Sequence, residues 1–594
     1  MDGKKGRRRV GLCLGCFCIS AFLAFGDTHY ADRSNPTPHS PYLTWGDAAT
    51  SIQEAVDVAS SGDVVRVADG VYDAGGTVVF GMTNRVTINK PIVVESANGW
   101  PAAVIRGQGP TGDAAVRCVY LASNASLSGF TLTGGYTRVT GPGWENDCDG
   151  GGAYCENNTT ISNCLITGNS AFHGGGVRGY SNTIVKNCSI IGNSALPNSY
   201  ASSGGGAAGC HLMNCEIIGN RAGSGGGVGG GIVEDCTLSG NLSVRDGGGA
   251  CGSVIHHSDV VGNVARGWGG GGLYECWAWD CTINGNTGPN GGGVYWSYMT
   301  NCTITGNTAS YGGGLYQGTT YRCIVLNNFA SNSGGGVCNG FLKNCLIAGN
   351  STVENGGGGY FSGGGTLQNC TIFGNSANVG GGIAYGDAVE NCIIVSNTAS
   401  PSQTASGRQN YFTVYSGTMN YVCTMPLPES GVGNRTNDPS FVDAASGDWR
   451  LAANSSCIDA GSNQTWMTGS ADLDRRPRIL HNTVDLGAYE AVLPEWDTDG
   501  DHMRDAQELP AGTDPNNSAS FLGILSLEKS VQGHIVSWSS VDAHRYRLSR
   551  STNLMTDAFT VIVTSNQWAS PPMNVETDKT VMGNGPWFYR IEVE

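Results

Sequence analysis

From about residue 150 to 400 the chain repeats one short pattern. Asn301 to Gly318 reads NCTITGNTASYGGGLYQG: an apolar–polar alternation, an asparagine, a small polar turn and a glycine run. Cys164, Cys188, Cys215, Cys236, Cys281, Cys302, Cys323, Cys345, Cys370 and Cys392 fall in one column, with Ser258 in the single gap. Spacings lie between 21 and 27 residues, and five residues after each stands an asparagine, from Asn169 to Asn397. A period near 22 marks a solenoid. It is too short for two packed helices, and Gly and Asn form helices poorly. Three short strands per coil fit it: Leu315 opens one, Thr320 to Arg322 a second, and Cys302 to Thr305 a third. Alternation puts Cys302 and Ile304 inside and Thr303 and Thr305 outside. Asn301 and Asn307 are expected at corners, their amides bonding the coils above and below. The cysteines are expected mostly as free thiols, because buried Cys behaves as a small apolar residue and a continuous column has no natural pairing.

At this point the chain resembles the right-handed parallel β-helix proteins of the pectate-lyase-like superfamily, with repeats similar to those of polymorphic outer-membrane proteins. The resemblance implies an all-β fold: a right-handed three-sheet parallel β-helix over residues 45–425. SIQEAVDVAS, residues 51–60, reads as a short amphipathic capping helix with a Ser51–Glu54 capping box. Residues 426–492 (DPSFVDAASGDWRL, CIDAGSN, DLDRRPRI, VDLGAYE) resemble the segment that closes bacterial surface β-helices and are expected as C-terminal coils and cap. Asp443, Asp459, Asp472, Asp474 and Asp485 are expected in turn and capping roles there.

Residues 493–521 change character. Asp497, Asp499, Asp501, Met503, Asp505 and Glu508 occupy positions 1, 3, 5, 7, 9 and 12 of an EF-hand-type loop, a spacing that wraps hard oxygens around one Ca²⁺. His502 stands where the sharp-turn glycine belongs. The stretch resembles the calcium linkers of thrombospondin type 3 repeats. Residues 522–594 read as alternating strands, and a small fibronectin-type-III-like β-sandwich is expected.

Composition adds an address and an exclusion. Lys4, Lys5, Arg7, Arg8 and Arg9 precede the apolar run Val10 to Phe25, so residues 1–26 read as a signal peptide. An exported, secreted or cell-surface protein follows, with no membrane-spanning helix after cleavage. Of 594 residues 93 are glycine, and the net charge of −16 argues against a nucleic-acid partner.

Candidate chemistry is sparse. None of the catalytic motifs of polygalacturonases or pectate lyases is present. Glu234, His256 and Trp279 share a column, Asp235, His257 and Asp280 share the next, and Asp259 lies nearby; such a group can bind metal or move protons, or simply vary a solvated corner. For a catalytic groove, Arg245, Asp246, Glu275 and the His256 group would have to converge. Tyr274, Tyr295 and Tyr316 form an outward aromatic column with Trp268, Trp277, Trp296 and Tyr298 beside it, a surface suited to sugar rings or a protein partner. The expected function is therefore a monomeric adhesive or polysaccharide-binding β-helix without catalysis, with a polysaccharide lyase or glycoside hydrolase as the alternative.

Overall fold

A computed structural model describes residues 26–138, 147–196, 202–402, 407–412, 417–552, 559, 561–581 and 586–594. Residues 1–25 of the expected signal peptide lie outside them. The described chain is a parallel β-solenoid of about 12 turns followed by small antiparallel sheets.

Each coil contributes to three faces, but the strands expected at Leu315 and at Thr320 to Arg322 share the first face, and the third face is formed by Thr308–Tyr311, outside the expected strands. The first face carries two short strands in most coils, such as Val228–Gly229 and Ile232–Glu234, which fuse into single seven-residue strands at Val294–Thr300, Leu315–Tyr321 and Val337–Lys343. The second sheet holds three-residue strands, Thr303–Thr305 among them. The third consists of two- to five-residue strands in two groups, bridged across their gap by the parallel contacts Val264–Thr287–Thr308. Cys302 and Ile304 are buried inside as alternation demands.

The interior is ordered by a ladder of amides. Asn307 donates its backbone N–H and its Nδ2 to Oδ1 of Asn328, at 2.9 Å each, and donates Nδ2 also to the Ile283 carbonyl at 3.0 Å. The same bonds link Asn169, Asn193, Asn220, Asn241, Asn263, Asn286, Asn307, Asn328, Asn350, Asn375, Asn397 and Asn410. These side chains are almost wholly buried, so each bond made here replaces one to water. Asn301 differs: its φ is +54°, a left-handed corner that Asn tolerates. Where a repeat carries both asparagines they do separate jobs; Asp235, His257, Asp280 and Arg322 take the same left-handed corner in other coils.

The glycine triplet follows from the ladder. Gly312 has φ +61°, and a Cβ on Gly314 would lie 2.7 Å from the Gly336 carbonyl and 2.9 Å from Asn328 Nδ2. The first glycine turns the chain and the third makes room for the asparagine.

The cysteine column is equally structural. Cys302 accepts nothing from solvent; its Sγ donates to the Thr300 carbonyl at 3.2 Å, and its N–H points at Cys323 Sγ at 3.3 Å. Ser258 reproduces both bonds, accepting from Cys236 N at 3.1 Å and donating to the His256 carbonyl at 2.8 Å. All 19 described cysteines are free thiols.

At the start, the helix Ile52–Val58 buries Ile52, Ala55 and Val56, with Ser51 and Glu54 bonded reciprocally. The far end differs from the expected terminal cap. Tyr421 and Thr424 bond back to Val432 and Arg435, extending the winding. A hairpin, Phe441–Asp443 and Asp448–Leu451, follows. The chain then doubles back along the side of the coils. Asn391, Asn344 and Asn369 donate Nδ2 to the carbonyls of Ser462, Ala471 and Asp485, and Arg475 reaches Asp280 at 2.9 Å. This segment covers the outer face of the second sheet, burying Leu346, Thr371 and Ile393. In earlier coils the same outward positions are Glu216, Thr237, Asp259 and Thr282, so the polar face turns apolar where it is covered.

Inside the segment, Arg478 pairs with Glu490 at 2.9 Å, fully buried. Asp485 accepts N–H bonds from Asp459 and Ala491 at 2.7 and 2.6 Å, and Asp472 from Arg476 and Glu490 at 2.7 and 2.8 Å. Asp443 caps a short 3-10 turn. These aspartates serve turns and caps. Residues 524–593 form two three-stranded antiparallel sheets around Val536, Trp538, Tyr546 and Leu548.

Asn307→Ala removes the Oδ1 that accepts the Asn286 backbone N–H and Nδ2, leaving that buried N–H without its partner. At about 1–3 kcal/mol per unsatisfied buried group, it lowers the urea midpoint of the solenoid markedly. Asn187→Gly, at a left-handed corner with φ +53°, leaves that midpoint within experimental error.

Candidate functional site

The outward face of the first sheet is read directly from its register. One column runs Tyr120, Tyr154, Arg178, Ala208, Gly229, Cys251, Tyr274, Tyr295, Tyr316. A second runs Val254, Trp277, Tyr298, Thr319, Phe341. A third runs Glu234, His256, Trp279, Thr300, Tyr321. Aromatic residues therefore crowd one stretch of coils, from Trp268 to Phe341.

Their orientation matters. Tyr274, Tyr295 and Tyr316 stack on one another at 5.4 and 5.1 Å with planes 11° and 2° apart. Their faces are spent on each other, and edges and hydroxyls remain for a ligand. Gly269 leaves room for this: a Cβ there would sit 2.7 Å from the Tyr295 ring. The accessible rings are Trp268, 75% exposed, with Trp277, Trp296 and Tyr298 each about half exposed. Trp277 stacks on Tyr298 at 4.3 Å. Trp296 occupies a left-handed corner with φ +50° and donates its indole N–H to Gln317. Phe341 extends the exposed band, while the exposed Tyr311 and Phe329 lie on strands of the third face. Sequence reading missed these three, although counting one repeat on from Tyr298 and Thr319 leads to Phe341.

Beside this band lies the histidine–carboxylate group. Glu234 Oε2 is 3.2 Å from His211 Nε2 and its Oε1 is 4.0 Å from His256 Nδ1. His256 stacks on Trp279 at 4.8 Å and meets His257 edge-on. His257 is 3.9 Å from Asp280, which also pairs with Arg475. Asp259 lies on the outer face of the second sheet, beyond the corner. Asp246 and Glu275 flank the tyrosine column instead, Asp246 in register with Gly269 and Glu275 at the left-handed corner after Tyr274. Asp246 is nearly buried, accepts from Gly269 N at 3.1 Å and lies 3.6 Å from Arg245. Burial pushes its carboxyl up against the pull of Arg245. The charged groups therefore form two separate sets at the margins of the aromatic band, each with its own partners.

The third candidate is the acidic loop. Asp497, Asp499 and Asp501 offer carboxylate oxygens all within 4.8 Å of one another. Asp497 accepts the N–H groups of Gly500 and His502, Asp499 that of Asp501, and Asp501 that of Met503. These bonds curl the loop and leave Asp499 Oδ2 and Asp501 Oδ2 buried without partners. Glu508, on the helix Asp505–Ala511, is wholly buried with both carboxylate oxygens unpartnered. Burial, then Asp499 and Asp501, push its carboxyl up to about 7. Buried, clustered, unpartnered oxygens are what a hard divalent cation neutralises. His502 takes φ +76° in the glycine position, so the turn is made without glycine. Asp505 turns elsewhere: it accepts from the Thr498 N–H and hydroxyl at 2.8 and 2.5 Å.

No family model matches the chain, and none of the curated proteins does. Solved structures do. Pectate lyase Pel9A is 14% identical, with 78% of this chain and 96% of the other covered, at a TM-score of 0.26. The A-module of the Azotobacter vinelandii mannuronan C-5 epimerase AlgE4 is 14% identical over 61% and 91%, at 0.28. PfbA, a surface adhesin of Streptococcus pneumoniae, is 11% identical over 65% and 88%, at 0.28. Superposition is loose throughout, and the solenoid is established by the chain's own coil-to-coil ladders. No helix among the described residues is long and apolar enough to cross a membrane.

The raised Glu508 carboxyl sets a pH dependence. Without an ion, the loop loses stability as pH rises from the ordinary 4.5 through about 7, because the folded state then holds a buried charge the unfolded chain exposes. Hydrogen exchange, corrected for intrinsic rates, is expected to show residues 493–521 less protected at pH 8 than at pH 5. Saturating Ca²⁺ is expected to abolish the difference.

Proposed function

We propose that this protein is an exported, extracellular or cell-surface β-solenoid that binds a polysaccharide without cleaving it. The observation that carries the reading is the band of exposed Trp268, Trp277, Trp296 and Tyr298 on a hydrogen-bonded sheet. A flat aromatic surface pre-organised on a rigid scaffold gains contact area with sugar C–H faces at little entropic cost. The Tyr274, Tyr295 and Tyr316 edges, with Glu275 and Gln317 at neighbouring corners, supply hydrogen-bonding groups along its length. A protein partner on another surface is the competing occupant of the same band.

Calcium belongs to this proposal as a structural ion. Asp497, Asp499, Asp501 and Glu508 would hold it, and it would supply the positive charge their buried oxygens lack. Its work is to fix the joint between the solenoid with its wrapped segment and the terminal sandwich.

A glycan array probed with the mature protein in Ca²⁺ tests the reading, followed by chain-length measurement of each bound glycan. Binding without shortening is expected. The double substitution W277A/W296A is expected to weaken it by at least about tenfold, or about 1.4 kcal/mol, with the solenoid's melting unchanged. Shortened products would replace the binding reading with a catalytic one and direct attention to Glu234 and His256.

A further inference from the structure

Two cysteines stand apart from the interior column. The register pairs Ile393 with Cys423, which places Cys423 on the outer face of the second sheet; Val422 takes the inward slot beneath Cys392. Cys457 lies on the segment that doubles back over that face. Both are fully buried and share one apolar cluster with Ile393, Leu451, Leu486 and Ala491. Each thiol lies close enough to the other to influence its ionisation, and Cys423 Sγ donates to the Asn437 carbonyl at 3.1 Å.

This pair differs physically from the column. A column cysteine such as Cys302 has a like neighbour on each side, Cys281 and Cys323, and bonds carbonyls of its own and the preceding coil. Cys423 faces one cysteine, and across an interface between two separate parts of the chain. We propose that Cys423 and Cys457 form a disulfide that staples the wrapped segment to the last coil of the solenoid.

The reaction takes a disulfide oxidant such as oxidised glutathione. The neighbouring Cys423 thiol, with the Arg435 guanidinium nearby, draws the Cys457 thiol below its usual range against the opposing effect of burial. Cys457 is then the first nucleophile. Its thiolate attacks one glutathione sulfur, forming a mixed disulfide and releasing one reduced glutathione. Cys423, deprotonated, attacks the Cys457 sulfur and expels the second. The two cysteine protons pass to the two departing glutathione thiolates, which also carry the two electrons, so the products are the protein disulfide and two reduced glutathiones. The pair closes a loop that includes the hairpin, so the staple restrains the unfolded chain between coil and segment. Folding brings the pair together, so the exchange takes place before the cluster is sealed or during its local opening.

The test uses the full mature chain, purified reduced and refolded in oxidised and reduced glutathione. Remaining thiols are alkylated after denaturation, and the digest is mapped by mass. The expected result is one cross-linked peptide joining Cys423 and Cys457, with the other 17 of the 19 described cysteines alkylated. Limited proteolysis within residues 452–492 is expected to slow at least about tenfold on oxidation, and reductant is expected to reverse it. C457S removes both the cross-link and the slowing, while C302S, in the column, changes neither. Recovery of Cys423 and Cys457 as thiols, or cross-links among the column cysteines instead, overturns the proposal. So does a Cys423–Cys457 cross-link that leaves the cleavage rate unchanged, since the staple would then hold nothing.

Discussion

The buried asparagine ladder is the interaction on which the solenoid depends. Each Oδ1 receives two N–H bonds from the preceding coil, and each amide returns one to a strand carbonyl behind it. A slip of one residue in any coil would strand several buried polar groups at once, each costing about 1–3 kcal/mol. The ladder therefore fixes register, and other columns follow from it. Glycine stands where the asparagine side chain presses on the backbone. A small polar or sulfur-bearing side chain stands where a buried N–H needs an acceptor, which is why Ser258 serves in a cysteine's place. Spacings of 21 to 27 residues are tolerated because the extra residues enter the turns and leave the ladder positions intact.

Much of this was legible in the sequence because it is periodic. Alternation placed Cys302 and Ile304 inside, and the period placed Glu234, His256 and Trp279 in one column. What escaped was either local geometry or long-range docking. Nothing in the spacing distinguishes Asn301, at a solvent-side corner, from Asn307, in the buried ladder; only the backbone conformation does. The tyrosine column was legible, but the stacking of its rings face to face was not. The wrapped segment has no period, so its path along the coils left only an indirect trace: Ile324, Leu346 and Ile393 replace the polar outward residues of earlier coils in the second sheet. In the acidic loop the spacing suggested six ligands, whereas the structure turns Asp505 toward Thr498 and buries Glu508 within the influence of Asp499 and Asp501.

The distribution of charge complements that of aromatic area. Arginines and carboxylates close to the band are paired: Arg245 with Asp246, Arg475 with Asp280, Glu234 with two histidines. The surface between them is mainly aromatic, with Glu275 and Gln317 at its corners. Beyond it, the wrapped segment and the acidic loop carry buried carboxylates held by backbone N–H groups. The molecule thus separates a surface of fixed shape from a C-terminal region whose integrity depends on how buried negative charge is neutralised.

The stacked tyrosines give the surface a scale. Their ring centroids lie 5.4 and 5.1 Å apart, an interval set chiefly by the roughly 4.8 Å spacing of the backbone ladder. A chain molecule lying along the axis meets these rings as marks on a ruler. One whose own repeat matches a multiple of the interval stays in phase from Tyr274 to Tyr316 and onward; one that does not drifts out of step within a few units. Periodicity in the protein thereby becomes a filter on periodicity in whatever lies against it.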